Sequence, residues 1–129
     1  MTLGGSADAP HLPLPAPIDA YGDGGFRFGG MSHRGSLLCF PDGIWAWPVG
    51  EPKQLNEDTL AAVFDRAQTL DFFLIGAGRD PWPLPEALRQ RFRDLSLSVD
   101  TMPTGAAVRT YNILLAENRR VGAGLIAVA

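Results

Sequence analysis

The run "DFFLIG", residues 71–76, limits the possible folds of this chain more than any other stretch. It is apolar after its first residue, too short for a typical helix, and free of the polar alternation that marks a strand with one wet face. Such a run is typical of a strand that is buried on both faces, with helices packed over the sheet. The rest of the chain must therefore supply those helices.

Helical patterns lie on both sides of this strand. Asn56 is a good N-cap residue and is predicted to begin the first helix, and Pro85 suits the first turn of the second. The alternating run "LSLSVDTM" predicts another strand. Thr104 is predicted to cap a third helix within "TGAAVRTYNILLAENRR", and "VGAGLIAVA" follows as an apolar strand. The apolar stripes of the first two helices are Leu60, Val63, Phe64 and Ala67, then Leu84, Leu88, Phe92 and Leu95.

The first third of the chain predicts antiparallel β-structure. "IDAYGDGGFRFGG" alternates short apolar pieces with glycines, which is typical of strands joined by turns. In "SLLCFPDGIWAW", Leu37–Phe40 and Ile44–Trp47 are predicted to pair around a Pro-Asp-Gly turn. Because side chains alternate along a strand, Trp45 and Trp47 should point to the same face.

This order of elements, β-hairpins and then α-β-α-β-α-β, predicts an α/β fold. We expect a three-layer single domain over residues 18–129, with a central mixed β-sheet, helices packed on it and an additional small β-element. The chain has 129 residues, enough for one domain with a real core. Residues 1–17 are rich in Pro, Gly and Ala, and are predicted to form a flexible N-terminal arm.

The net charge of −3 argues against a nucleic-acid partner, since such binding needs a clustered cationic surface. No apolar run has the length of a transmembrane segment. The run "MTLGGSADAP" has neither a basic nor an apolar region, so we expect no secretory signal in it. We therefore expect a cytoplasmic protein, with peripheral contact with a membrane-bound partner left open.

The cysteine and the histidines give no sign of catalysis or metal binding. Cys39 lies in the apolar run "SLLCF", where a buried and inert thiol is the expected state. His11 and His33 have no ligand spacing between them. No metal, no cofactor and no catalytic residue is predicted.

The turn in "IGAGRDPW" is the first candidate site. Gly76 and Gly78 follow a buried strand, where α/β folds often bind ligands, and their amides could meet an anion. The dinucleotide fingerprint fails because Pro81 takes its third glycine position, so a tight turn is the simpler interpretation. Trp82 stands between prolines, either as a cap on the core or as an anchor for a partner.

The run "RTYN", residues 109–112, is the second candidate site. Helical geometry spreads its side chains over several faces, with Tyr111 on the core side. Arg109 and Asn112 share another side, where the neighbouring Ile113 predicts partial burial. A half-buried arginine needs an acceptor, either within the protein, which is more common, or on a bound anion.

Four stretches resemble, in the same order, a small family of uncharacterised bacterial and archaeal proteins: "AYGDGGFRFGG", "GSLLCFPDGIWAW", "LIGAG" and "MPTGAAVRTYNILLAENRRVGAGLIAV". That family is similar to the mitochondrial assembly factor 3 of respiratory complex I and to a human adipogenesis-associated domain protein. The resemblance covers about residues 18–128. Its shared positions are Gly76 and Gly78 of the turn, and Thr104, Arg109, Thr110, Tyr111 and Asn112 of the third helix. Many relatives have a cysteine where this chain has Val108, so no thiol chemistry is expected there.

The resemblance implies a three-layer fold and, from the mitochondrial relative, a role in binding protein partners at the inner membrane. Our leading hypothesis is a non-enzymatic interaction or assembly-factor-like protein. The alternative is a small-molecule site for an anion such as phosphate or a carboxylate, in a binding protein or enzyme, between the Gly76–Gly78 turn and Arg109. A homodimer through the glycine-rich hairpins and exposed aromatics is compatible with either hypothesis.

Overall fold

A five-stranded sheet forms the centre of the protein, and a separate three-stranded sheet lies beside it. The structure is a computed structural model and describes residues 9–129. The small sheet contains β1 (Ile18–Gly22), β2 (Gly25–Phe28) and β3 (Met31–Arg34). The large sheet contains β4 (Ser36–Phe40), β5 (Gly43–Trp47), β6 (Phe72–Gly76), β7 (Ser98–Met102) and β8 (Val121–Leu125). The helices are α1 (Ala61–Asp65), α2 (Glu86–Asp94) and α3 (Thr104–Ala116), with single 3₁₀ turns at Pro52–Gln54 and Ala67–Thr69.

The large sheet is mixed, as predicted. Its strand order is β5-β4-β8-β6-β7, with β6 parallel to both β7 and β8, and β4 antiparallel to both β5 and β8. Parallel neighbours need a crossover, which α2 provides between β6 and β7. The helix α3 then carries the chain from β7 back over β6 to β8.

Apolar clusters cover the large sheet on both faces, which confirms the three-layer fold. On one face, α1 and α2 place Leu60, Val63 and Phe92 against Phe73 and Ile75 of β6. The other face is covered by α3 and the small sheet, and its largest buried side chains include Leu37, Leu74, Tyr111, Phe28 and Leu125. The run "DFFLIG" is thus buried on both faces, as its composition indicates.

The predicted hairpin of β4 and β5 is confirmed, with Leu38 paired to Trp45 and Cys39 paired to Ile44. Trp45 and Trp47 both pack on the face that α1 covers. Trp47 also reaches past β4 to β8, where a Cβ added to Gly124 would lie 2.6 Å from the indole Cη2. The ring therefore occupies the space that any side chain at position 124 would need.

The predicted arm lies partly against this hairpin. The His11 amide donates to the Ile44 carbonyl at 2.9 Å, and the Ile44 amide donates to the Leu12 carbonyl at 2.9 Å. Ala16 is buried before β1 begins. The flexible arm over residues 1–17 stays a prediction, and its first eight residues lie outside the described part of the chain.

The start predicted for the first helix is wrong, because α1 begins at Ala61 rather than at Asn56. The Asn56 side chain accepts from the Thr59 amide at 2.9 Å, and the Asn56 amide donates back to the Thr59 hydroxyl at 2.9 Å. This reciprocal pair has the form of a capping box, and the Leu60 amide donates to the Asn56 carbonyl at 3.0 Å. Asn56 thus caps the turn before α1, as predicted, although the regular helix starts later. The apolar stripe that follows is buried as predicted.

We expect Gly124→Ala to lower the free energy of unfolding by about 1–3 kcal/mol, because the new methyl group would overlap the Trp47 ring. Gly50→Ala is the matched control, since the nearest atom to its added Cβ is Gln54 Oε1 at 3.5 Å. Chemical denaturation of the two variants and the unchanged chain measures the difference. Equal stability of the two variants would contradict the packing described.

Candidate functional site

The candidate site lies at one edge of the large sheet. Because β6, β7 and β8 are parallel, their carboxyl ends at Gly76, Met102 and Leu125 meet at this edge. In α/β sheets this is the edge where ligands usually bind. The glycine turn, the start of α3 and the segment 126–129 are all placed here.

Thr104 ties these three pieces together. Its hydroxyl accepts from the Gly78 amide at 2.9 Å and donates to the Ile126 carbonyl at 2.7 Å, while its own amide donates to the Gly78 carbonyl at 2.8 Å. The N-cap prediction is wrong: Pro103 precedes the helix without a side-chain cap, and Thr104 is the first helical residue. Thr104 is fully buried and acts as a structural link.

Ser36 makes a second link of the same kind from the hairpin side. Its hydroxyl donates to the Val49 carbonyl at 2.6 Å and accepts from the Ala127 amide at 2.9 Å. Both hydroxyls are buried, and they hold adjacent residues of the segment 126–129. No local sequence signal marked Ser36, because its partners are distant in the chain.

The two glycines of the turn have different roles. A Cβ on Gly76 would lie 3.0 Å from the Thr104 Cα and 3.1 Å from the Ala107 Cβ, so Gly76 allows α3 to pack closely on the sheet. Gly78 has a positive φ of 99° and open space around it. Only Gly78 therefore faces the edge surface.

Two open depressions flank the segment 126–129. One, of about 410 Å³, contains Trp82; the other, of about 580 Å³, contains Arg109 and Tyr21. Both are lined by Gly78 and Arg79, so together they form one continuous surface. We call it the carboxyl-edge surface, defined by Tyr21, Gly78, Arg79, Trp82, Arg109 and Val128.

Trp82 combines the two interpretations left open by the sequence. It is half-buried and packs against the apolar cluster of α1 and α2. It also lines the first depression, between the exposed Pro81 and Pro83. One part of the indole therefore supports the core while another part remains available to a partner.

Arg109 is exposed, so the half-burial predicted for it is wrong, whereas Asn112 is half-buried as predicted. The helix α3 packs on the sheet through the side opposite Arg109. Ile113, one helical turn from Arg109, keeps 58% of its surface exposed. Among residues 9–129, none accepts a hydrogen bond from Arg109 or forms an ion pair with it. The guanidinium, with all its donors, is therefore open to an external acceptor.

Asn112 has a structural role instead. Its Oδ1 accepts from the Ile18 amide at 2.8 Å, and its Nδ2 donates to the Ile18 carbonyl at 2.9 Å. The Asn112 amide group thus bonds to the backbone of Ile18, the first residue of β1, in the way that a neighbouring strand would. Thr110 is half-buried, and its hydroxyl bonds to no other residue of the described chain.

The buried pair of Tyr111 and Cys39 was not expected from the sequence. Within residues 9–129 the Tyr111 hydroxyl has no hydrogen-bond partner of normal geometry. Burial raises the pKa of Cys39 to about 12, and burial beside that thiol raises the pKa of Tyr111 above its usual value. Both groups therefore stay neutral at pH 7, and Cys39 lacks the thiolate that a nucleophile needs.

Two further features bear on the class of site. Residues 9–129 bring no three His, Cys, Asp or Glu side chains together in a way that would hold a metal ion. In the same part of the chain, no helix combines the length and apolar character needed to cross a bilayer.

Residues 18–126 match a family described as proteins of unknown function, DUF498/DUF598. The chain belongs to that family. It is 40% identical over 110 residues to an uncharacterised protein of Rhodobacter capsulatus, covering 85% of this chain and 83% of that one. A solved structure of a Bartonella henselae protein, described as an outer membrane protein, superposes with a TM-score of 0.88 at 50% identity and covers 92% of this chain and 100% of its own.

A more distant relative has a named role. The chain is 32% identical over 114 residues to the NADH dehydrogenase [ubiquinone] 1 alpha subcomplex assembly factor 3 of Drosophila melanogaster. The match covers 84% of this chain and 57% of the fly protein. The chain thus spans little more than half the length of this relative.

We expect Thr104→Val to lower the free energy of unfolding by about 2–4 kcal/mol, because it leaves the part-buried Gly78 amide and the buried Ile126 carbonyl without their partner. Thr104→Ser keeps the hydroxyl and is expected to lose only about 1 kcal/mol for one methyl group. Denaturant unfolding of both variants gives the comparison. A valine variant as stable as the serine variant would refute the link.

Cys39 is the only cysteine, which makes its reactivity a direct probe of burial. At pH 8 we expect an aromatic disulfide reagent to label the denatured chain rapidly and the native chain only as it unfolds, since the raised pKa removes the thiolate. Absorbance of the released thiolate measures both rates. Rapid labelling of the native chain would contradict the burial.

Proposed function

We propose that this protein is a non-enzymatic interaction domain of the assembly-factor type, which binds a protein partner at the carboxyl-edge surface. The observation that carries the proposal is the composition of this surface. A half-buried tryptophan, an exposed tyrosine and two arginines surround a segment that buried hydroxyls hold in place. Tryptophan, tyrosine and arginine are the residues that contribute most to binding at protein interfaces.

Arg109 favours a partner with an acidic group at its end of the surface, since the acidic Glu51 and Asp80 line only the depression that contains Trp82. Arg109 has no acceptor within the described chain, while Arg79 donates to the Ala129 carbonyl at 2.6 Å and is held near it. A carboxylate of the partner could accept from Arg109 while an apolar group packs on Trp82 and Tyr21. Tyr21 keeps 44% of its surface exposed, so it can contribute this area.

The kind of partner is suggested by the fly relative, which is named an assembly factor for NADH dehydrogenase. We propose that this protein likewise binds a subunit of a membrane-associated complex from the cytoplasmic side. It would then be peripheral to the inner membrane through that partner alone.

A small-molecule anion site is the alternative function. Gly78 and Arg109 line the same depression, which is the observation that supports it. Gly76 does not contribute, because α3 packs directly over it, and the Gly78 amide already donates to the Thr104 hydroxyl at 2.9 Å. The prediction that these two amides meet an anion is therefore wrong, and Arg109 is left as the main anion-binding group. A single exposed arginine in an open depression provides few of the convergent polar groups that small-ligand sites use, so the interaction role is the better fit.

The test uses a photo-activatable phenylalanine analogue at position 80, in the native host, because Asp80 is exposed and lines the depression that contains Trp82. We expect one discrete protein adduct that is lost in both Trp82→Ala and Arg109→Ala backgrounds. Arg93→Ala is the matched control, because Arg93 is exposed on α2 away from this surface. A probe at position 93 should not give the same adduct.

No adduct at position 80, or one unchanged in the Trp82 and Arg109 variants, would overturn the interaction proposal. Amide chemical shifts during titration with inorganic phosphate and with acetate test the alternative. A saturable shift at Gly78 and Gly105 that Arg109→Ala removes would support an anion site. Shifts that grow linearly without saturation would count against it.

A further inference from the structure

Three exposed residues form a ridge along the outer side of α3. Arg109, Ile113 and Glu117 are four residues apart, so they follow one another along one side of the helix. Glu117 closes the helix, and its amide still bonds to the Ile113 carbonyl at 3.1 Å. The ridge is centred on Ile113, one of the few large apolar side chains that the described chain exposes.

The two charges of the ridge have no partners within residues 9–129, since neither Arg109 nor Glu117 forms an ion pair or a side-chain hydrogen bond there. Five other arginines among residues 9–129 are paired with nearby carboxylates. Arg120, for example, donates to Asp71 Oδ1 at 2.9 Å. The arginines with such ion pairs are Arg66, Arg91, Arg93, Arg119 and Arg120.

Arg109 and Glu117 carry opposite charges, and each lies four residues from Ile113 along α3. In the commonest class of helix packing, ridges of residues four apart interdigitate at a crossing angle near −50°. When a two-fold axis passes beside Ile113, the ridge runs antiparallel to its copy. Each Arg109 then lies beside Glu117 of the second copy, and the two Ile113 side chains meet at the axis.

We propose that α3 is an isologous dimer surface whose occupant is a second copy of this chain. The charge pattern of the ridge is self-complementary, which a two-fold contact requires. Ala106 and Ala116 lie beside the ridge and are small enough to let the backbones approach. The proposal places the contact on α3 rather than on the glycine-rich hairpins.

The proposed contact is small, so we expect a weak dimer. One helix from each copy buries less than the roughly 1,200 Å² of a standard interface, so the dimer dissociates on dilution. Its two ion pairs are at the rim, so added salt weakens it further. Arg109 belongs to both proposed surfaces, but the dimer does not need Trp82.

Charge reversal tests the pairing directly. Arg109→Glu and Glu117→Arg each place like charges opposite one another, and we expect each to weaken dimerisation at least about tenfold. The double variant R109E/E117R restores opposite charges and should dimerise like the unchanged chain. An equimolar mixture of the two single variants should form a heterodimer, since both of its cross pairs are then complementary.

Sedimentation velocity from micromolar to millimolar concentration measures these equilibria, and circular dichroism checks that each variant folds. Ile113→Asp should abolish the dimer without changing either charge, whereas Trp82→Ala should leave it intact. A monomeric unchanged chain at all concentrations would overturn the proposal. So would single variants that dimerise normally, a double variant that stays monomeric, or a mixture that forms no heterodimer.

Discussion

The edge of the sheet that carries the candidate surface depends on two buried hydroxyls. Thr104 holds the Ile126 carbonyl from the helix side, and Ser36 holds the Ala127 amide from the hairpin side. Each hydroxyl donates and accepts at once, so each has a single workable orientation. A loop would ordinarily be mobile at this edge, but here its backbone is fixed on two sides. The exposed side chains around it therefore begin from a rigid support, which lowers the entropic cost of binding.

Much of the architecture could be predicted because its signals are local. The apolar run at residues 71–76, the hairpin around Pro41 and the helical stripes each depend on residues close together in the chain. The wrong predictions concern residues whose partners are distant in the chain, which the spacing of side chains along one helix or strand does not reveal. Thr104 finds its hydroxyl partners 22 and 26 residues away, and Asn112 finds its partner 94 residues away. Arg109 is exposed because no element within residues 9–129 covers that side of α3, which a helical wheel does not reveal.

The suspected site residues are of two kinds. Gly76, Thr104 and Asn112 belong to the packing of α3, and their roles are complete within the described chain. Trp82 and Arg109 remain incompletely satisfied at the surface. A shared run of sequence can thus record a shared way of packing one helix rather than a shared reaction. Shared packing of one helix without a shared reaction is consistent with a family described as proteins of unknown function.

The contact between Trp47 and Gly124 has an evolutionary consequence. The two residues lie on strands separated by β4, yet the indole fills the volume that a side chain at position 124 would take. Neither position can change freely by itself: a larger residue at 124 meets the ring, and a smaller residue at 47 leaves a void in the core. Across the family, substitutions at these two positions should therefore covary, with volume gained at one strand matched by volume lost at the other.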